Sequence, residues 1–580
     1  MTRQAVPEWR FATIIALLVG LVSLLAWRVL VLQVLDTDRG YEFLQDQGDA
    51  RTVRTVHIPA HRGVIMDRNG EPLAVSTPVE SIWINPKQLA DQQSRWPELA
   101  AALGMGRREL ANKITDNGNR QFVYLRRQMA PDEAAKVLAL KIHGVNMQRE
   151  YKRYYPAGEV AAHVVGFTNI DDEGQEGIEL AYNSWLKGHP GSKRVLKDLH
   201  GNVFRDIGQE KPAESGKDLM LSIDMRLQYV AYRELKAAMK RLDAKAGSIV
   251  MLDAYTGEVL AMANQPSYNP NNRHDLLPGS TRNRAITDMF EPGSTVKPFT
   301  IVAALESGRY QPHTPVDTNP GYIRVGRKTL LDPVNYGLID VTKILTKSSQ
   351  VGISKVALTL DEQRVWDVFS RFGLGKNTGT GFPGESSGLL PDRVNWADIQ
   401  RVNFAFGYGL TVTPLQLTQA YTVFANHGVF RPARLVREKQ PPAGHQVTTD
   451  LIAGEVLDML KTVTGKGGTA TAANMSTYTV AGKTGTVHKV AATGGYAYDR
   501  YRALFVGLAP ASNPRVVTAV IIDEPNLDKY HGGQSAAPVF ARVVSQALRI
   551  LDVVPDKKHI EREVVGAGSS TIKERGRKSA

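Results

Sequence analysis

The 580-residue chain contains no cysteine. Disulfides and thiolate metal sites are thereby excluded, and the absence suits an oxidising compartment in which stray thiols are a hazard. Its 13 histidines show no metal-ligand spacing. No internal repeat is present, and no basic helix with interleaved aromatics. The net charge of +13, from 71 Lys and Arg against 58 Asp and Glu, therefore does not point to nucleic acid. Long apolar runs are equally scarce. Phe11 to Trp27 carries no charge and continues into Val29-Leu30-Val31-Leu32, enough to cross a bilayer with tilt, and no other such segment exists. Arg3 and Arg10 precede it and predict a cytoplasmic N-terminus with everything beyond the span outside, although Glu8 and Arg28 make the asymmetry modest. A cleaved signal peptide would need small residues where Ala26-Trp27-Arg28 stands. A buried core helix fits poorly with flanking arginines.

What is present is the composition of a large globular protein, with 22% charged residues and room for several domains. Residues 1–35 are expected to form the cytoplasmic N-terminus and membrane anchor, 36–216 a hairpin-containing module with no nucleophile beside a base, 217–556 one large mixed domain, and 557–580 a flexible basic tail holding Lys573, Arg575, Arg577 and Lys578. The Gly208–Lys217 stretch, polar with Pro212 and Gly216, has the composition of an inter-domain linker. Upstream of it, Asn69-Gly70 before Leu73-Ala74-Val75 predicts a hairpin. The clusters Arg153-Tyr154-Tyr155-Pro156-Ala157-Gly158 and Gly174-Gln175-Glu176-Gly177-Ile178-Glu179 read as structural turns and ion pairs. Downstream, Asp224 is the expected N-cap of a helix with Leu227, Val230, Ala231 and Leu235 on one face. Strands over Ile249–Leu252 and Val259–Met262 are expected to be joined through Asp253-Ala254-Tyr255-Thr256-Gly257.

The chemically informative segment is Glu291-Pro292-Gly293-Ser294-Thr295-Val296-Lys297-Pro298-Phe299. Ser294 and Lys297 are three positions apart, the spacing that places two side chains on one helix face. Pro298 has no N–H for the carbonyl four residues back, so the helix must open at Ser294. Unpaired N–H groups and the positive helix end would then face any oxyanion formed beside the serine. Two further clusters follow in the order such chemistry demands, Lys347-Ser348-Ser349-Gln350 and Gly482-Lys483-Thr484-Gly485-Thr486. The second is no phosphate loop, because that motif needs glycine at the position of Thr477. Its two glycines after Val480-Ala481 predict a strand that a substrate backbone can approach closely.

With these three motifs the chain resembles the penicillin-binding transpeptidases and serine β-lactamases. The N-terminal clusters are similar to those of the class B penicillin-binding proteins. Phe406-Gly407-Tyr408-Gly409, Gly381-Phe382-Pro383-Gly384-Glu385 and Ser535-Ala536-Ala537-Pro538-Val539-Phe540 are similar to segments of the division-specific FtsI or penicillin-binding protein 3 type. The resemblance implies an α/β (α+β) fold: a transpeptidase domain with a central antiparallel sheet flanked by helices, behind a β-rich pedestal and one transmembrane helix. It implies peptidoglycan D,D-transpeptidase activity with no cofactor and no metal, and covalent capture of β-lactams at Ser294. It further implies a single-pass protein of the bacterial inner membrane with its catalytic domain in the periplasm, working beside a SEDS-type glycan polymerase and other division proteins.

Carried onto this sequence, the resemblance makes Ser294 the nucleophile, Lys297 its base and Ser348 the proton relay to the leaving amine. A buried Lys297 beside a second cation, Lys483, is expected to have a depressed pKa. Lys483, Thr484 and Thr486 would meet the substrate carboxylate, Gly485 would let its backbone approach, and the N–H groups of Ser294 and Thr486 would form an oxyanion hole. Gln350 stands where the family usually has asparagine, which marks either an altered substrate or β-lactam preference, as in a specialised paralogue, or a tolerated exchange. Tyr408 and Tyr501 fall where the family pocket carries aromatics, and His531 reads as a rim or solvated loop residue. Rival functions are a D,D-carboxypeptidase, a β-lactamase and a non-catalytic division scaffold.

Overall fold

A computed structural model of the chain describes residues 7–33, 53–197, 203–274, 276–392, 395–491 and 494–557. The expected basic tail from 558 onward and Arg3 lie outside these residues. The apolar run forms a helix, Glu8–Gln33, whose 26 residues span roughly 39 Å. Its apolar side chains are exposed, Leu17 by 74%, so it is no core helix. Among the described residues it is the one helix long and apolar enough to cross a membrane.

The pedestal is built on two sheets. Ile65–Met66 pairs with the long strand Pro72–Ile84 in the expected hairpin, and Asp67 Oδ1 closes the turn by accepting from the N–H groups of Asn69 and Glu71 at 2.7 and 2.9 Å. Pro72–Ile84 also pairs antiparallel with Val123–Met129 and Val145–Tyr154. A second sheet joins Val53–Ile58, Gly191–Lys197 and Val203–Lys211. The linker reading of Gly208–Lys217 is corrected here. Its first residues complete the strand Val203–Lys211, Glu214 bridges to His189, and Leu219–Met220 still pairs with Ile65–Met66. A polar composition is shared by linkers and by exposed antiparallel strands, and only the pairing tells them apart.

The segment Arg62–Gly70, which holds the hairpin turn, and the two clusters at Arg153–Gly158 and Gly174–Glu179 converge as an ion triad. Arg62 Nε and Arg153 Nε donate to the two oxygens of Glu179 at 2.8 and 2.6 Å, with all three side chains buried. Asp67 then accepts from Met225 N at 3.0 Å and Arg68 N donates to Ile223 O at 2.9 Å, docking this hairpin on the start of the second domain.

That domain begins with the helix Met225–Leu242, capped by Asp224 as expected, with Leu227, Val230, Ala231 and Leu235 all buried. Its sheet runs Val259–Gln265, Ala246–Asp253, Val516–Asp523, Tyr496–Ala509, Ala481–Val490, with every neighbour antiparallel. Met225–Leu242 and Gly532–Ile550 pack together and against the sheet, and Pro414–Ala425 packs on its strands Ala246–Asp253 and Val516–Asp523. The Lys483 strand, Ala481–Val490, is therefore an edge strand.

Candidate active site

Ser294 lies in a short 3₁₀ turn, Gly293–Val296, that runs directly into the α-helix Lys297–Glu306, with Pro298 in its first turn. The sequence placed Ser294 at a helix start, and the tighter turn adds a consequence. With three residues per turn, positions i and i+3 eclipse, which aligns Ser294 with Lys297 more closely than an α-turn would. Every residue from Lys297 to Leu305 is buried, so the helix has no solvent face and runs through the core as a central post. Phe299 anchors it, stacked on Phe424 at 5.6 Å between ring centroids and edge-on to Tyr421 at 5.4 Å.

Glycines bring the neighbouring elements into contact with this turn. Gly293 has φ +52, and a Cβ on it would stand 2.4 Å from Val487 Cγ1 on the edge strand. A Cβ on Gly407 would stand 2.2 Å from Gly293 O, and the two loops are joined by Gly293 N donating to Gly407 O at 3.1 Å. Gly485 faces Thr295 in the same way, with 2.9 Å available for a Cβ. The serine turn is thus clamped between the Lys483 strand and the Phe406–Gly409 segment.

The middle motif supplies the third wall. Ser348 ends the helix Val341–Lys347 at φ +57, a left-handed conformation that costs a non-glycine residue about 1 kcal/mol or more and persists only where its surroundings hold it. Lys297 Nζ donates to Ser348 O at 2.6 Å, Ser349 O at 3.2 Å and Ser348 Oγ at 3.3 Å. Lys483 Nζ donates to the same Ser348 Oγ at 3.0 Å and to Thr484 O at 3.3 Å. Both lysines are 0% exposed. Ser294, at the head of the Lys297 helix, is only partly buried.

Burial drives both amines toward neutrality. Lys297 is brought down to about 7 by desolvation, with the charge of Asp332 opposing the fall. Lys483 is depressed well below its ordinary value by desolvation and then by the nearby charge of Lys297. The expected like-charge effect is thus felt at Lys483, while at Lys297 burial is the main cause. Asp332 is a residue the sequence did not reveal. It sits in a loop with no motif of its own, yet its carboxylate accepts from Ser349 Oγ, Gln350 N and Val351 N.

Gln350 opens the helix Gln350–Thr359 with its side chain partly exposed. Along the edge strand, side chains alternate. Lys483, Gly485 and Val487 face the serine turn and the middle motif, whereas Thr484 and Thr486 face the other way. Thr484 Oγ1 meets Thr469 Oγ1 at 2.9 Å, and Thr486 Oγ1 accepts from Gly532 N at 3.1 Å, at the start of the helix Gly532–Ile550. A hydroxyl that accepts an N–H in this way keeps its own proton free to donate.

Tyr408 packs edge-on to Tyr496 at 5.7 Å, and burial together with Glu291 pushes its hydroxyl up to about 12. Glu291, three residues before the serine, accepts from Tyr496 OH at 2.9 Å and from Gly409 N at 2.9 Å, so Tyr408 belongs to a cluster tied to the serine segment through that carboxylate. Tyr501 lies farther along, stacked on Tyr530 at 4.2 Å and tilted against His488 at 4.5 Å, with His531 against Tyr530 at 4.1 Å. His531 is an exposed loop residue, as the sequence reading allowed, and its ring also packs on Tyr530.

Comparison with known proteins follows the same division. Residues 247–545 match the family described as "Penicillin binding protein transpeptidase domain", and residues 57–221 the "Penicillin-binding Protein dimerisation domain". The chain is 42% identical to the peptidoglycan D,D-transpeptidase FtsI of Escherichia coli K12 over 95% of this chain and 93% of that one. It is also 42% identical to the probable peptidoglycan D,D-transpeptidase PbpC of Pseudomonas aeruginosa, over 95% and 96%. Penicillin-binding protein 3 of Mycobacterium tuberculosis, crystallised with aztreonam, superposes with a TM-score of 0.67 at 28% identity, over 87% of this chain and 98% of that one.

Proposed function

The chain belongs to the penicillin-binding transpeptidases that carry a dimerisation domain ahead of the catalytic one, and from that membership we propose the reaction it performs and the residues that perform it. It is a serine-type peptidoglycan D,D-transpeptidase that cross-links stem peptides during septal wall synthesis and is acylated by β-lactams. Ser294 Oγ attacks the carbonyl of the penultimate D-alanine while its proton passes to the neutral amine of Lys297. The developing oxyanion is met by the N–H groups of Ser294 and Thr486, each such donor accounting for about a hundredfold in rate. Ser348 returns a proton to the departing D-alanine amine, the ester C–O bond to Ser294 remains, and the amine of a neighbouring stem then displaces the serine.

One observation carries this reading: Ser348 Oγ lies within hydrogen-bond reach of both Lys297 Nζ and Lys483 Nζ, at 3.3 and 3.0 Å, which gives a proton a continuous path across the site. The edge of Ala481–Val490 supports an extended peptide adding itself as a further strand, with Thr484 and Thr486 on one face receiving its carboxylate, Lys483 holding Ser348 from the other, and Tyr408, Tyr501 and Gln350 flanking it. The N-terminal helix supports anchoring in the inner membrane with the enzyme on the periplasmic side, beside a glycan polymerase of the division machinery. Labelling with a fluorescent penicillin tests the core of the proposal. The wild-type protein should take up label and Ser294→Ala should not, at unchanged melting temperature. Retained label in Ser294→Ala refutes the assignment, rapid turnover of the label marks a β-lactamase, and full growth on Ser294→Ala protein marks a scaffold.

A further inference from the structure

We propose that Asp332 is the positioning residue of this site, its carboxylate fixing the Ser348–Val351 turn and hence the place of the Ser348 hydroxyl between the two lysine amines. The inference rests on the acyl-transfer reading above and deepens it. Asp332 is 8% exposed and follows the hairpin formed by Tyr322–Val325 and Lys328–Leu331, where its own N–H donates to Gly321 O at 3.0 Å. Oδ2 accepts from Ser349 Oγ at 2.5 Å, and Oδ1 accepts from Gln350 N at 2.6 Å and Val351 N at 3.2 Å. Ser349 Oγ accepts in turn from Gly352 N at 2.8 Å.

The first three N–H groups of the helix Gln350–Thr359, which have no partners within it, are therefore all satisfied by the Asp332–Ser349 pair. Negative charge is also favoured at that end of a helix. A start bound at three successive N–H groups has little freedom to turn, and the left-handed Ser348 precedes it by two residues, separated only by the N-cap Ser349 whose hydroxyl Asp332 also holds. From that conformation the Ser348 carbonyl reaches Lys297 Nζ and its hydroxyl reaches Lys483 Nζ. The carboxylate acts through this backbone, and no reacting atom touches it.

Its charge adds a second, separable effect. The ionisable groups around Ser348 include Lys297 from the serine helix, Lys483 from the edge strand, Asp332 from the hairpin and the adjacent Lys347, whose Nζ donates away to Gly467 O at 2.8 Å, with Tyr336 beyond Asp332 pushed up by burial and by that carboxylate. Of these, Asp332 alone favours the protonated form of Lys297.

The test is the second-order rate of acylation by a chromogenic penicillin between about pH 5 and 9, on the full chain in detergent, for wild type, Asp332→Ala and Asp332→Asn, with melting curves for each. Asp332→Ala should acylate about tenfold to a hundredfold more slowly, the loss expected from a small misplacement of catalytic groups. Asp332→Asn keeps an acceptor for the Gln350 and Val351 N–H groups. It should recover most of the rate while moving the acid limb of the profile to lower pH, because the neutral amine survives further into acid once the carboxylate is gone. Wild-type rate and profile in both variants overturn the proposal. So does a loss that tracks unfolding in Asp332→Ala while the Asp332→Asn limb stays on that of wild type. Failure of the wild-type protein itself to acylate would instead count against the function proposed above.

Discussion

Lys297 and Lys483 reach one and the same oxygen, Ser348 Oγ, at 3.3 and 3.0 Å. Neither amine has access to water, and two ammonium groups sharing one hydroxyl repel each other. Burial drives both amines toward neutrality, so an unprotonated amine is available near neutral pH to accept a proton. Ser348 can accept from the charged amine and donate to the neutral one, so the proton taken from a nucleophile need not leave through solvent.

The acylation rate is expected to rise from acid to neutral pH. With Lys297 brought down to about 7, its amine is protonated below that value and cannot serve as base, so the rate should fall about tenfold for each pH unit below 6. A profile that stays level from acid to alkaline pH removes the lysine base. Stability carries the matching sign. The unfolded lysine keeps its proton to about 10.4, so between 7 and that value the unfolded state binds more protons and stability rises with pH. The melting temperature of the wild type should climb between pH 7 and 9 relative to that of Lys297→Met.

Gly407→Ala places a methyl group where 2.2 Å separates it from Gly293 O, at a residue whose own φ is +92. The serine turn must shift, and acylation should drop by about a hundredfold while most of the core, remote from the loop, keeps the protein folded. Stopped-flow acylation beside circular dichroism checks both halves, and a near-normal rate would mean that the loop yields instead.

Gln350→Asn tests the exchange in the middle motif. The backbone of residue 350 is bound to Asp332, so only side-chain reach and one rotor differ. Fixing a rotor costs about 1 kcal/mol, and the shorter amide should acylate about fivefold faster with at least one class of β-lactam. Equal rates across several classes would show that glutamine is merely tolerated.

Glu179→Ala strips the counter-charge from Arg62 and Arg153 in the buried pedestal triad. Leaving buried charge unpaired costs about 3–5 kcal/mol. Limited proteolysis should find the pedestal opened, while penicillin labelling of the resistant catalytic fragment continues. A protease pattern like that of wild type would mean that the arginines find other acceptors.

Much of this arrangement is legible in the sequence where local chemistry dictates it. Pro298 sets the helix start, Asn69-Gly70 the hairpin and Asp224 the cap, because each acts within a turn or two of its own position. The spacing of Ser294 and Lys297 is similarly local. Asp332 escapes such reading, since its partners are 17 to 19 residues away and join it only when the hairpin folds back. The strand Val203–Lys211 is hidden for a related reason, as its identity lies in its partner rather than in its composition. Strand alternation likewise gives Lys483 and Thr484 opposite faces, which a motif read as a string treats as one surface.

The Ala481–Val490 edge has one more implication. A substrate that pairs with it is met first by main-chain groups, which every amino acid possesses, so a mimic that presents the same backbone pattern and carboxylate is admitted as readily as the natural peptide. Selective refusal has to evolve in the flanks instead, at positions such as Gln350 or the tyrosines, where reach and shape differ between the two visitors.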